Sequence, residues 1–391
     1  MTDTITPKVA IISSLTGGLG HYCAHLANPL SKYCYIKFIT YPQVDLTGAV
    51  VKQITDSFVR RYIKWPRFDL DESNPLSVVS INEYLAAKGV NIINIHVGTT
   101  VKRKIIYFIA LCVYAKRLNS KKLIFTLHDV LPFEDDKKLV KLLKVFYSLA
   151  DYFTVGNDLE KKKLVKYFEI PESKIDIIPH GIYNLFDRNL YTQAMARGYL
   201  DIPRKKKVIL FFGFLREYKG LEYLIKAAGI LSKKPDNNFL VYVASALKYA
   251  PRDLVERCLE LINKLNLQEK FVLNLNYLDS LDIEAIFKAS DLVALPYTYA
   301  SQSGVLNMAM GFKKPVVVTD AFYDKIWIEN KAGIVAKSKD AQSLAQNIQI
   351  LLGNDRLGKQ YGEFGFRYTS RHFNWDIVAK KYANVYHKVI K

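Results

Sequence analysis

The stretch FFGFLREYKGLEYLIKAA at residues 211–228 decides the fold class of this chain. The overlapping run VILFFGF (208–214) is apolar apart from its glycine, which is typical of a strand buried on both faces. Residues 221–231 then place apolar side chains on one helical stripe, which predicts an amphipathic helix. A strand, a short loop and a helix in this order form the building unit of a parallel α/β sheet.

The loop of this unit carries two cations, Arg216 and Lys219, between Gly213 and Gly220. In a parallel sheet such a loop lies at the carboxyl edge, beside a helix N-terminus whose N–H groups attract anions. A guanidinium binds two phosphate oxygens at once, and an ammonium adds a point charge. The loop therefore predicts a phosphate-binding site, with a solvated surface loop of ordinary charges as the alternative.

Alternating strand and helix patterns run along the whole chain and restart once. The polar segment YLDIPRKKK (199–207) interrupts them, and we interpret it as a linker. We therefore predict an α/β protein of two parallel-sheet units that meet near residue 200. The strand candidates lie at 9–14, 35–40, 90–96, 122–128, 152–157 and 175–181 before the linker, and at 208–214, 239–245, 271–277, 291–297, 315–320 and 333–337 after it.

Composition narrows the class of protein. The chain has 391 residues, 50% of them hydrophobic, and a formal net charge of +19, which favours anionic partners. Its four cysteines have neither disulfide nor zinc-ligand spacing, so we expect a reducing compartment and no metal. The N-terminus is unlike a signal peptide, and the apolar run at 105–115 is too short to cross a bilayer. We expect a cytoplasmic protein, soluble or peripheral on a membrane.

Much of the positive charge accompanies apolar residues in the first half of the chain. Residues 135–150 place Lys137, Lys141 and Lys144 at helical spacing, and residues 60–68 mix cations with aromatics. Because basic amphipathic helices bind anionic membranes, we predict contact with a membrane surface. An ordinary helix with a solvated lysine face is the alternative. The charge is not accompanied by a nucleic-acid-binding motif, so we predict no nucleic-acid partner.

Two further segments place small residues at predicted helix starts. In SSLTGGLGHYCAHLA (13–27), Gly18 and Gly20 would let the backbone approach a ligand, although the spacing is not GxGxxG and a tight turn is the alternative. In SQSGVLNMAMGFKKPVVVTD (301–320), a helix opens beside a predicted interdomain cleft, where free N–H groups favour an anion. A serine-capped helix without a ligand is the alternative. The residues at its start are Ser301, Ser303, Gly304 and Val305.

Histidines end two predicted strands of the first unit. His96 ends one, His128 ends the next, and Asp129 follows His128. Because ligands of α/β proteins bind at carboxyl strand ends, we predict that these residues contact a sugar hydroxyl or handle a proton. A purely structural hydrogen-bonding role is the alternative. We interpret His180, in contrast, as a turn residue beside the linker.

Taken in order, these segments resemble the large retaining family-four glycosyltransferases of GT-B fold. VAIISSLTGGLGHY (9–22) is similar to the opening strand and glycine loop of that family, and TLHDVLP (126–132) is similar to its Thr-x-His-Asp element. IIPHGIYNLF (177–186) resembles the stretch before the family's linker. HFNWDIVAKKYANVYHKVI (372–390) resembles the terminal helix that crosses back to the first domain.

The resemblance implies a GT-B architecture, in which two Rossmann-like parallel-sheet domains face a central cleft. It implies an acceptor-binding domain at 1–200, a nucleotide-sugar-binding domain at 205–371, and a helix at 372–391 that returns to the first domain. It also implies transfer of a sugar, with retained configuration, from a nucleotide-diphosphate donor, and we expect a hexose-type sugar. The predicted membrane contact suggests a glycan or lipid-linked acceptor. Such transfer would serve surface polysaccharide or glycolipid synthesis at the inner face of the membrane.

Individual positions of the family's motifs carry over to this chain. Arg216 and Lys219 match the residues that hold the donor diphosphate, and His128 matches a histidine near the transferred sugar, so these three are the catalytic candidates. His96 and Asp129 are candidates on the acceptor side. The family needs no metal or other cofactor, because cations and helix dipoles stabilise the leaving diphosphate. The donor-binding candidates are Gly18, Gly20, Gly213, Ser303, Gly304 and Val305.

Two positions depart from the family pattern. Ala300 and Met308 stand where the family often carries two glutamates, and neither offers a carboxylate to a ribose or a sugar. Either recognition of the ribose therefore differs in this chain, or binding of the donor is weak. Two alternatives stay open: a non-catalytic homologue that binds sugar nucleotides or glycans, and a GT-B sugar-nucleotide epimerase.

Overall fold

The computed structural model describes residues 6–14, 17–40, 43–44, 50–51, 57–63, 74, 76–98, 102–132, 136–235, 238–246, 250–276, 278, 280–323 and 325–391. Of the basic segment at 60–68, residues 64–68 lie outside this part of the chain. Two compact units emerge, one comprising Met1–Gly181 with Asn374–Lys391 and the other Ile182–Phe373.

The elements alternate much as the periodicity predicts, and their ends differ from the predicted ones by at most four residues. The strands are β1 (Lys8–Ile12), β2 (Tyr35–Ile39), β3 (Gln43–Val44), β4 (Val50–Val51), β5 (Ile92–Val97), β6 (Lys122–Leu127), β7 (Tyr152–Val155), β8 (Ile175–Ile177), β9 (Lys207–Phe212), β10 (Phe239–Ala244), β11 (Phe271–Asn274), β12 (Leu292–Leu295), β13 (Val316–Thr319) and β14 (Gly333–Ala336).

The helices were predicted less completely than the strands. They are α1 (Gly17–Ser31), α2 (Ser57–Tyr62), α3 (Ser77–Ala87), α4 (Lys102–Asn119), α5 (Lys137–Tyr147), α6 (Asp158–Phe168), α7 (Gln193–Tyr199), α8 (Leu221–Leu231), α9 (Arg252–Lys264), α10 (Ser280–Ala289), α11 (Gly304–Gly311), α12 (Ala341–Leu352), α13 (Asp355–His372) and α14 (Trp375–Ile390).

The first unit contains a parallel sheet of order β2-β1-β5-β6-β7-β8, and β3 pairs with β4 as a separate antiparallel hairpin. Side chains alternate between the two faces of a strand. One face is apolar and packs against α4 and α5, where Phe125 stacks on Phe146 with ring centroids 4.3 Å apart. The opposite face is buried as well, although its alternate positions are polar: Asn94, His96, Thr126 and Thr154.

The polar face is covered by α1 and α14. The Asn94 amide donates to the hydroxyl of Tyr386 at 2.8 Å, and the hydroxyls of Tyr22 and Tyr382 lie 2.9 Å apart. Because buried polar groups are costly without partners, these bonds join the C-terminal helix to the sheet. The helix that follows residue 373 therefore belongs to the first unit, and Asn374 caps its start by accepting from the Ile377 N–H at 2.9 Å.

The second unit contains a parallel sheet of order β11-β10-β9-β12-β13-β14. Its first strand, β9, lies between β10 and β12, so the strand order reverses there. Ligands of doubly wound sheets bind at the carboxyl edge of such a reversal. Helices α8, α9 and α12 contribute to the apolar core on one side of the sheet.

The units divide at Gly181 and Ile182, earlier than the linker expected at 199–207. The physical reason is the buried Arg197 of α7, which donates to the Ala289 carbonyl at 3.0 Å and pairs with Asp291 at 2.7 Å. These contacts join α7 and the segment after it to the second unit. A polar, proline-bearing sequence can thus resemble a linker although it lies inside a domain.

Candidate functional site

The loop between β9 and α8 requires glycine at two positions. Gly213 has φ +102° and Gly220 has φ +70°, both in the left-handed region that side chains disfavour. A Cβ added at Gly220 would also lie 2.1 Å from the carbonyl oxygen of Pro296, which follows β12. These glycines bring the loop against the end of β12, at the reversal of the strand order.

Lys219 is buried in this loop, with 8% of its surface exposed. Its ammonium lies 5.6 Å from the ring centroid of Tyr297, and no described carboxylate forms an ion pair with it. Burial, assisted by the charge of Arg216, lowers the pKa of Lys219 to about 8. A buried ammonium without a counter-charge favours an anionic ligand, because the ligand would supply the missing partner.

The other charges of the loop are arranged differently. Arg216 is exposed, and its guanidinium donates to the Leu215 carbonyl at 3.4 Å. Glu217 pairs with Arg257 at 2.5 Å, an arginine that also binds Glu222 and Asp253. The nearest carboxylate in sequence is therefore engaged elsewhere, which leaves the local charge at Lys219 positive.

The N-terminus of α11 meets the same loop. Ser303 is its N-cap and accepts from the Leu306 N–H at 3.2 Å, while Gly304 and Val305 form the first turn. A Cβ added at Gly213 would lie 2.6 Å from the Lys219 ammonium nitrogen and 3.3 Å from a methyl group of Val305. Gly213 of the β9–α8 loop and Val305 of α11, both predicted donor-binding residues, therefore lie close together. The helix starts at Gly304, not at Ser301, because the serine side chain caps it.

Ala300 and Met308 are both buried, each with 4% of its surface exposed. Ala300 forms an isolated parallel bridge with Phe322: its N–H donates to the Ala321 carbonyl at 3.3 Å, and its carbonyl accepts from the Tyr323 N–H at 2.9 Å. Neither position presents a polar side chain at this edge of the sheet. At these two positions, where the similar family often carries glutamates, this chain therefore has buried apolar side chains.

The histidines of the first unit form a pair. Nε2 of His128 lies 3.3 Å from Nδ1 of His96, and both rings contact the ring of Tyr22. Burial lowers the pKa of His96 to about 3 and, with the neighbouring His96 and His180, lowers the pKa of His128 well below its ordinary value. Both rings are therefore neutral at physiological pH. His96 is 1% exposed, so His128 is the member of the pair that lies nearer to solvent.

Asp129 lies beside this pair and lines a small pocket with residues of β5 and α5. Burial and the negative charge of Glu160 raise the pKa of Asp129 to about 8. Glu160 itself is held by the Val130 N–H at 3.0 Å and by Lys163 at 2.6 Å. Asp129 is thus largely protonated at neutral pH and offers a hydroxyl donor instead of a charge.

The glycine loop of the first unit differs in detail from the prediction. Gly17 has the positive φ, of 55°, and α1 already begins there, so Gly18 and Gly20 lie in its first turn. A Cβ at Gly18 would meet no atom within 4 Å, so local packing does not require glycine at this position. Gly20 is buried.

Two residues of the first unit were not recognised as part of this region. Tyr22 is the centre of a cluster in which its ring contacts His96, His128, His180 and Trp375 at 4.9 to 5.6 Å between centroids. His180 therefore packs in the cluster and does not serve only as a turn residue. No local sequence signal indicates this, because α1, α14 and the segment after β8 meet only in the folded unit.

Within the described ranges, no three or more His, Cys, Asp and Glu side chains are grouped so as to hold a metal ion. Among the helices of those same ranges, none combines the length and the apolar character needed to cross a bilayer.

The chain is similar to known glycosyltransferases in both sequence and structure. Residues 206–354 match the family model described as "Glycosyl transferases group 1", a segment that contains both the β9–α8 loop and α11. A relative along the full chain is an uncharacterized glycosyltransferase of Methanocaldococcus jannaschii. It is 24% identical over 403 residues, and the match covers 97% of each protein.

Two solved structures match nearly the whole fold. Sucrose-phosphate synthase from Thermosynechococcus elongatus has a TM-score of 0.75 at 18% identity, covering 98% of this chain and 99% of that one. Anabaena HepE in complex with UDP-glucose has a TM-score of 0.74 at 17% identity, covering 96% and 98%. The two parallel six-stranded sheets with helices on both sides thus match the GT-B fold. With the family match, these comparisons support a group 1 glycosyltransferase.

Proposed function

We propose that this chain transfers a hexose-type sugar from a nucleoside diphosphate donor to a glycan or lipid-linked acceptor, with retention of the anomeric configuration. The observation that carries the proposal is Lys219, a buried ammonium without a described counter-charge at the carboxyl edge of the second sheet. The UDP-glucose bound by HepE, a protein of the same fold, supports a donor of this class. No metal or other cofactor is part of the proposal.

The donor diphosphate would bind against Lys219, Arg216 and the first N–H groups of α11. Departure of the nucleoside diphosphate increases negative charge on its terminal phosphate. Fixed cations and helix-terminal N–H groups stabilise that charge more in the transition state than in the bound donor, and this difference accelerates transfer. The absence of a side chain at Gly213 would leave the Lys219 ammonium in the position from which it binds the diphosphate.

The first unit would position the sugar and the acceptor. His128 would hydrogen-bond the transferred sugar, and Asp129 would lie on the acceptor side. The acceptor hydroxyl would attack from the face that the diphosphate leaves and give its proton to the departing phosphate. No protein nucleophile is invoked, and retention of configuration follows from attack on that face.

Access to a lipid-linked acceptor would come from the basic surface of α5. Its outward residues include Lys137, Lys141 and Lys144, all exposed, and Val145 is 54% exposed among them. Lysines beside an exposed apolar side chain are the composition of a helix that rests on anionic lipid. We propose a cytoplasmic protein that associates with the inner face of a membrane. Pelleting with phosphatidylglycerol vesicles, reduced by high salt and absent with phosphatidylcholine vesicles, would support this.

The donor site is tested by ligand-induced thermal stabilisation and by turnover. A panel of UDP, GDP, ADP and their glucose derivatives identifies the nucleotide that raises the Tm. Released nucleoside diphosphate is then measured with a mixture of candidate glycan acceptors. The double variant Arg216→Ala with Lys219→Ala should lower turnover by orders of magnitude. Lys226→Ala, which removes an exposed lysine of α8, is the matched control. Near-normal turnover in the double variant contradicts the proposal.

A second candidate function follows from the buried, apolar Ala300 and Met308. Without a carboxylate at either position, the unit would bind sugar nucleotides without transferring them. Release of nucleoside diphosphate only when an acceptor is present favours the transferase. Binding without release favours the non-catalytic homologue, and isomerised sugar nucleotide formed without acceptor favours an epimerase.

A further inference from the structure

The contact between His96 and His128 restricts which ring nitrogens can carry a hydrogen. Nδ1 of His96 lies 3.3 Å from Nε2 of His128, so one nitrogen donates a hydrogen and the other accepts it. A neutral imidazole carries a hydrogen on one nitrogen and a lone pair on the other. The contact therefore couples the two tautomers, and only two arrangements of the pair are available.

The other nitrogen of His96 distinguishes the two arrangements. Nε2 of His96 is buried, and no hydrogen-bond partner contacts it among the residues that the structure describes. If His128 donated, His96 would carry its hydrogen on Nε2 and bury an N–H without an acceptor. If His96 donates from Nδ1, only a lone pair is buried there. Buried N–H groups without partners are the rarer case in folded proteins.

The neighbours of His96 also favour the arrangement in which His96 donates from Nδ1. Its ring stacks on Tyr382 at 6.1 Å between centroids, and the Tyr382 hydroxyl is already 2.9 Å from the hydroxyl of Tyr22. On the same face, the Thr126 hydroxyl donates to Asn94 at 2.9 Å. The hydroxyls of Tyr382 and Tyr22 are thus engaged with each other, and the Thr126 hydroxyl is engaged with the Asn94 amide.

We infer that His96 is a positioning residue that sets the tautomer of His128. His96 donates its Nδ1 hydrogen to Nε2 of His128, and the neutral ring of His128 therefore carries its own hydrogen on Nδ1. The lone pair of His128 is occupied by His96, so the ring contacts any further oxygen as a donor, through Nδ1.

The inference rests on the proposed function only where it describes catalysis. In a glycosyl transfer, His128 would act as a neutral hydrogen-bond donor to an oxygen of the sugar. It would not accept a proton from the acceptor hydroxyl, because its lone pair is engaged. The role of proton acceptor would then fall to the departing phosphate.

The tautomer is measured directly in the free, full-length protein, independently of any transferase activity. Selective ¹⁵N labelling of the seven histidines and long-range ¹H–¹⁵N correlation at neutral pH separate protonated from unprotonated ring nitrogens. His128→Gln assigns the His128 signals by their loss. We expect Nδ1 of His128 to have the shift of a protonated nitrogen and Nε2 that of an unprotonated one. The opposite pattern overturns the inference.

Variants of His96 test the cause. His96→Leu removes the donor and should move His128 toward the form with hydrogen on Nε2. His96→Asn places an amide N–H near the position of Nδ1 and should restore the original pattern. His25→Leu removes another buried histidine of the same unit and is the matched control, which should leave the His128 signals unchanged. Unchanged His128 signals in a folded His96→Leu variant overturn the inference, whether or not the protein transfers sugar.

Discussion

The ammonium of Lys219 occupies the position beside Gly213 that a side chain at residue 213 would need, since an added Cβ would lie 2.6 Å from its nitrogen. The observed position of the Lys219 ammonium therefore requires glycine at residue 213. The backbone at Gly213 also continues the sheet, because its N–H donates to the Ala244 carbonyl at 2.9 Å. The loop cannot move away from the lysine without losing that hydrogen bond.

Gly213→Ala should displace the Lys219 ammonium and weaken binding of the nucleoside diphosphate. The left-handed φ at this position adds strain of about 1–3 kcal/mol to the folded state. UDP titration calorimetry and urea unfolding measure the two effects. Gly198→Ala is the control, because its Cβ would meet no atom within 4 Å and alanine favours a helix. Wild-type affinity in a folded Gly213→Ala protein contradicts the assignment of the site.

Binding of UDP should weaken above about pH 8, the pKa of Lys219. Below this pH the lysine already carries its proton. Above it, a bound diphosphate raises the pKa of the lysine, so binding also takes up a proton and the affinity falls by up to about tenfold per pH unit. Calorimetry in buffers of different ionisation enthalpy measures the proton uptake. Lys219→Arg, whose guanidinium does not titrate in this range, should remove the dependence. If the affinity of Lys219→Arg for UDP showed the same pH dependence, a group other than Lys219 would be its cause.

The first unit should lose stability as pH falls below about 6.5. Burial lowers the pKa of His25 and of His96 to about 3 and that of His180 to about 4. Between 6.5 and these values the unfolded chain binds more protons than the folded one, so the free energy of unfolding decreases by about 1.4 kcal/mol per pH unit for each histidine.

Asp129 acts in the opposite direction. Because its pKa is raised to about 8, its contribution to the free energy of unfolding is lost as pH rises from 3.8 to about 8. Three histidines should outweigh this one group, and urea unfolding at pH 7 and pH 5 measures the balance. His180→Asn should reduce the slope, whereas His372→Gln, an exposed histidine, should not. Equal stability at both pH values would show that the histidines are not buried as described.

Tyr386→Phe should destabilise the first unit. The hydroxyl of Tyr386 accepts from the Asn94 amide at 2.8 Å, and its removal leaves a buried donor unsatisfied, at a cost of about 1–3 kcal/mol. Tyr323→Phe, at an exposed tyrosine of the second unit, is the matched control and should change the free energy of unfolding little. Urea unfolding of both variants gives the comparison. A cost in Tyr386→Phe no larger than in the control would mean that α14 is held by apolar contacts alone.

The strands and the β9–α8 loop could be predicted from the sequence because their signals are local. A continuous apolar run bounded by glycine indicates a buried strand, and helical spacing after it indicates the covering helix. The clustering of Gly213 with Lys219 could be anticipated for the same reason, since both lie in one short loop. The N-cap at Ser303 also depends only on neighbouring residues.

The contacts around Tyr22 could not be predicted in this way. His180 resembles an ordinary turn residue in sequence, and the segment at 199–207 resembles a linker, because their partners lie on other elements. The polar face of the first sheet is equally hidden. Its alternating Asn, His and Thr side chains are stabilised by tyrosines of α14, from the far end of the chain.

What the sequence alone determined is the α/β class, the order of the elements and the residues of the β9–α8 loop, because strand, helix and turn preferences act over a few residues. The tertiary structure decided which groups are charged and which are neutral. Burial removes the charge of the histidines and leaves Lys219 without a described counter-ion, and burial depends on residues that are distant in the chain.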